Sequence, residues 1–91
     1  MSNPSFQHQV RVAVQRAIGA SSEAQRLGLR VADEDEIEYS SAGLEVPIQI
    51  GQNEGNASEL EDALRALQRV IDKEFPGEYI NLFIELMSSE Q

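Results

Sequence analysis

Apolar residues open the chain at a helical period. Phe6, Val10, Ala13, Ala17, Ala20, Ala24 and Leu27 are separated alternately by four and three positions, which lines one face of an α-helix, and Val14 and Ile18 widen the stripe. Ser5, after Pro4, suits an N-cap, and Gly28 suits the left-handed residue just past the last turn. A competing alternation of Phe6, His8, Val10, Val12 and Val14 reads as a strand but stops there, so the spacing predicts a helix over 6–27. Gly19 weakens its middle by up to ~1 kcal/mol relative to alanine.

The pattern then changes period. Leu29 and Val31 flank Arg30, Ile37 and Tyr39 flank Glu38, and Leu44, Val46, Ile48 and Ile50 alternate with Glu45, Pro47 and Gln49. A period of two with one apolar face is the signature of half-buried antiparallel strands. Ser40-Ser41-Ala42-Gly43 is the turn of a hairpin, and a short extra strand is possible at 29–32. Pro47 has no N–H for a ladder, which puts the 44–50 strand on an edge or turns Pro47 out at a bulge.

A second helix follows the Gly/Asn/Gln stretch 51–56. Ser58 and Glu61 have capping-box spacing, and Leu60, Ala63, Leu64, Leu67, Val70 and Ile71 form its stripe. Its acids come early and Arg69 and Lys73 late, as the helix dipole favours. Pro76-Gly77 ends it. Residues 78–87 fit a strand through Ile80, Leu82, Ile84 and Leu86, or a helix with a narrow polar stripe. The strand is preferred, because a lone two-stranded hairpin is marginal and a third strand completes a sheet.

These elements give a single α+β domain over 1–91 with frayed ends at 1–4 and 88–91. It is a small antiparallel sheet of about three strands packed with two helices, in the order α-β-β-α-β. The 41% hydrophobic content supports a folded chain, and the absence of cysteine excludes disulfides, thiolate metal sites and cysteine nucleophiles. No apolar run reaches the ~20 residues of a membrane span. The start Met1-Ser2-Asn3-Pro4 lacks signal-peptide character, so a cytoplasmic protein is expected.

Charge is divided along the chain. The net charge of −9 resolves into residues 1–30, where four arginines face one glutamate, and residues 31–91, where three basic residues face fifteen acids. Such a split signals a nucleic-acid arm, an acidic partner surface, two faces that attract each other, or two ordinarily solvated exteriors. Phosphate binding is disfavoured at this charge, although His8, Arg11, Gln15 and Arg26 share a helix face.

The densest acidic point is Asp33, Glu34, Asp35 and Glu36, followed by Glu38. It lacks EF-hand spacing, since Leu44 stands at the twelfth position. Three uses fit it: charge that protects a sheet edge, a divalent-cation or small-molecule site, or an acidic hairpin docked on a basic protein partner.

Catalysis has little support. His8 is the one histidine, there is no phosphate loop, and the choice of Glu45 and Glu85 as an acid–base pair is arbitrary. No cofactor is implied. The four-alanine stripe suits close packing onto the chain's own sheet; its alternative use is a self-association face of Val10, Ala13, Ala17, Ala20 and Ala24. Tyr79 and Phe83 would share the second sheet face, where the domain's own helices are expected to bury them. The leading expectation is a noncatalytic interaction module presenting its acidic hairpin to a basic protein, and the alternative is a homo-oligomeric assembly subunit joined through the Ala-lined first helix or an exposed sheet edge.

Overall fold

A computed structural model describes residues 5–50 and 57–85. Helix α1 spans Phe6–Gly19 and the short α2 spans Ser22–Arg26. Strand β1 (Leu29–Val31) leads through a 3-10 turn at Glu34–Glu36 to β2 (Glu38–Ser40) and β3 (Gly43–Ile50). Helix α3 (Ala57–Glu74) and β4 (Ile80–Glu85) complete the described elements. The α+β class and the order of elements agree with the sequence reading, with the extra strand present at 29–31.

The single long first helix is corrected to two. Ser5 caps α1 as expected, its Oγ accepting from His8 N–H at 3.1 Å. At Ser21 the backbone is extended, and its Oγ accepts from Ala24 N–H at 3.1 Å, so the chain restarts as a new helix. Ala20 is exposed at the break, whereas Ala24 and Leu27 return to the core. Gly28 takes φ +71° and ends α2, its N–H donating to Gln25 O.

Strand β3 is the centre of the sheet. β1 pairs with it antiparallel (Arg30 opposite Gln49), and so does β2 (Glu38 opposite Glu45). β4 pairs with it in parallel from Leu44–Ile80 to Gln49–Glu85. Because β4 runs along almost the whole of β3, β1 and β2 lie end to end on β3's other edge. The sheet is therefore mixed, with α3 as the crossover that a parallel pair requires.

Pro47 thus stands mid-sheet. Its carbonyl accepts from Ala32 N–H at 3.0 Å, so its nitrogen faces the same way, into the gap between β1 and β2. There the chain leaves the sheet for the 3-10 turn, and no strand presents an acceptor for the missing donor. Neither the edge nor the bulge describes this geometry: β3 is the central strand, and its pairing with β4 runs unbroken through Pro47 opposite Phe83.

Even-numbered residues of β3 point into one core with Val10, Ala13, Val14, Leu27, Leu67, Ile71, Ile80 and Leu82. Phe6 and Phe75 meet edge to face at 5.6 Å between centroids and join α1 to α3. Both long helices therefore cover the same side of the sheet. Ser58 lies one residue inside α3, not at its cap, and the stretch before Ala57 is outside the described residues. Val70 is exposed rather than part of the buried stripe.

Candidate functional site: the open face of the sheet

Alternation along each strand fixes what the uncovered side presents. β3 contributes Glu45 and Gln49, half-buried, with Pro47 buried between them, and β4 contributes Asn81, Phe83 and Glu85, with Tyr79 just before it. Glu38 and Ser40 of β2 and Arg30 of β1 complete the face. Among the described residues, no element crosses it. Tyr79 is 80% exposed and Phe83 39%. Their expected burial under the domain's own helices is corrected: two helices that touch each other cannot lie on opposite sides of the sheet.

Three glutamates and one arginine share the face with this aromatic pair: Glu45 and Glu85 on β3 and β4, and Glu38 and Arg30 on the strands beyond β3. Glu38 and Glu45 stand directly opposite across β2 and β3. Like charges in that register repel, and the pair persists because solvent screens it. Ser40 Oγ donates to Glu45 Oε2 at 3.0 Å and holds that carboxylate over the face. Asn81 Nδ2 reaches Ala42 O at 3.3 Å and ties the hairpin tip to β4. Glu45 and Glu85 share the face but pair with Asn81 and Gln49, four residues apart along β3, or about 13 Å. That separation is too wide for them to work on one reacting atom by direct contact.

The acidic run 33–38 is not one hairpin arm. Asp33 to Glu36 form the 3-10 turn, and only Glu38 belongs to a strand. Glu34 packs against the start of α1, accepting from Ser5 Oγ at 3.0 Å and pairing with His8 Nδ1 at 3.0 Å. Those two hydrogen bonds, the His8 one first, hold its carboxyl below its ordinary value of 4.5. Asp33 lies 3.6 Å from Arg11, whose Nε also donates to Ala32 O at 2.8 Å. The side chains of Asp35, Glu36 and Glu38 are exposed and have no hydrogen-bond or ion-pair partner among the described residues. No three carboxylates or imidazoles among the described residues converge closely enough to hold a metal ion.

Part of the divided charge is paired internally. His8–Glu34, Arg11–Asp33, Arg16–Glu74 (3.9 Å) and Arg26–Glu59 (3.1 Å) each join the basic N-terminal segment to the acidic remainder. The helix face already disfavoured for phosphate binding commits His8, Arg11 and Arg26 to these contacts. A groove of about 490 Å³ between α1 and β1 is lined in part by Arg11, Arg30, Gln15 and Asp33, and it gathers no further chemistry.

The alanine stripe is turned inward. Val10, Ala13 and Ala24 are fully buried or nearly so, Ala17 packs against the core, and Ala20 alone is exposed. Of the expected self-association face, one residue is left on the surface. No described helix is long and apolar enough to cross a membrane.

A scan of protein-family models, a search of curated proteins and a search of solved structures each returned no match to this chain.

Proposed function

We propose that the chain is a noncatalytic protein-interaction module whose open sheet face binds a basic segment of a protein partner. The supporting observation is the Glu38–Glu45 like-charge pair set beside exposed Tyr79 and Phe83. A guanidinium or ammonium group placed between the two carboxylates would relieve their repulsion. The aromatic faces beside them suit cation–π contact and apolar burial, in which arginine is favoured over lysine. Net charge −9 adds long-range steering of a basic partner.

This reading moves the acidic surface from the 33–36 turn, half of which is occupied by α1, to the hairpin and its neighbour β4. The test uses an arginine-rich peptide as probe and a salt series. Binding should weaken as salt rises, and Glu38→Lys with Glu45→Lys should abolish it, as should Phe83→Ala in part. Asp35→Lys with Glu36→Lys should weaken it only slightly. If the turn variant loses the peptide and the sheet variant keeps it, the open face is not the site.

A further inference from the structure

β4 is the outer strand on its side of the sheet, and no described strand runs along its far edge. Tyr79 O accepts from Leu44 N–H at 2.8 Å. Backbone groups of 79, 81, 83 and 85 therefore face β3, and those of Ile80, Leu82 and Ile84 face away.

One side chain takes two of the outward groups. Gln68, half-buried on α3, donates through Nε2 to Ile80 O at 2.6 Å and accepts at Oε1 from Leu82 N–H at 2.9 Å. A residue opposite Asn81 on a neighbouring parallel strand would engage the same two groups. The amide thus stands in for one peptide unit of a missing strand. Asp72, one turn further along α3, accepts from the same Nε2 at 3.0 Å. A carboxylate only accepts, which fixes the end of the amide that points to Ile80.

We infer that Gln68 is a latch over a self-association edge, and that β4 of a second copy pairs there antiparallel across a two-fold axis once the amide leaves. The adjoining groove, about 250 Å³, argues for a second copy as occupant. It is lined by Glu61, Leu64, Arg65, Gln68 and Leu82. Glu61 and Arg65 are exposed, opposite in charge and one turn apart, and Arg65 has only a loose, exposed ion pair with Asp62 at 3.9 Å to exchange. Under a two-fold axis the two α3 helices run antiparallel, so Glu61 of one copy meets Arg65 of the other and the reverse. That is the self-complementarity an isologous contact requires. Antiparallel pairing also needs Leu82 N–H, so latch and second copy compete for one donor.

Sedimentation equilibrium of the full chain at ~0.3 M salt, where the repulsion between two acidic copies is screened, tests this. Wild type should be monomeric. Gln68→Ala and the length-matched Gln68→Met should self-associate at least about tenfold more tightly, the scale of one competing hydrogen bond. Adding Ile84→Pro should return them to monomer, because that N–H faces away from β3 and its loss spares the ladder. Hydrogen exchange on wild type should show the Leu82 amide more protected than that of Ile84, a difference lost in both Gln68 variants. Four results would each overturn the inference: folded Gln68 variants that stay monomeric, dimers indifferent to Ile84→Pro, a wild type already paired through β4, or wild-type Leu82 and Ile84 amides exchanging alike.

Discussion

Gly43 meets a tight steric demand. It takes φ +126° where the hairpin turns into β3, a conformation that side chains rarely adopt. A Cβ there would also collide with the Tyr79 carbonyl oxygen and lie 2.6 Å from the Tyr79 Cβ. Gly43→Ala should therefore destabilise by about 2 kcal/mol or more in urea unfolding, since backbone strain and collision act together. Gly19 is the control: an added Cβ meets nothing within 4 Å, and Gly19→Ala should stabilise by up to ~1 kcal/mol.

Ser5 acts twice, as the α1 cap and as a donor to Glu34. Because the folded-state pKa of Glu34 lies below its ordinary value, the unfolded chain binds the proton more readily. The contribution of this contact is complete above the ordinary carboxylate value and is lost as pH falls through the lowered one. Ser5→Ala should raise the Glu34 pKa toward 4.5 in a carboxyl NMR titration. The lost cap should separately cost about 1 kcal/mol at neutral pH. An unmoved Glu34 titration would mean that the Ser5 bond does not form in solution.

At the scale of elements, proline tolerance maps the ladders. Pro47 faces the gap where β1 gives way to β2, so Pro47→Thr breaks no ladder bond and should lower thermal stability less than a proline placed in a paired register does. Glu45 has the same parity, but its N–H faces paired β2, and Glu45→Pro should remove a ladder bond and lower stability by ~3 kcal/mol or more. Equal melting temperatures for the two variants would contradict this strand arrangement.

The hairpin, the second long helix and the C-terminal strand were legible because Ser40 to Gly43, the Leu60–Ile71 stripe and Ile80–Leu82–Ile84 each repeat one period against clear punctuation. The break at Ala20–Ser21 was not, because Ala24 and Leu27 resume the same apolar face after it, and periodicity cannot detect an interruption that preserves phase. The parallel pairing of β4 was equally hidden, since alternation is the same in either direction. Gln68 left no signal at all: a lone glutamine on a helix gives no hint of the strand edge it meets.

For the whole molecule, the basic N-terminal segment turned out to pair with part of the acidic remainder. The sequence raised that possibility beside three others, and local pattern could not choose among them. The choice depends on Arg16 and Glu74, or Arg26 and Glu59, meeting across long stretches of chain. These pairs are exposed, so each adds little stability, and they serve mainly to favour one docking of α1 and α2 on the rest. The candidate face was half legible: Tyr79 and Phe83 followed from alternation, but its exposure depended on both helices choosing the other side.

β3 is the one strand that every other described strand touches, and none of the others touch each other. The sheet is wired as a star rather than a row. Peeling away any arm leaves the hub with a bare edge, and the hub is the Leu44–Ile50 segment, which carries Val46, Ile48 and Ile50. Pro47 then has a second meaning: on a hub stripped of β1 and β2 it interrupts the exposed edge, so a partly opened molecule offers a poor template for joining another.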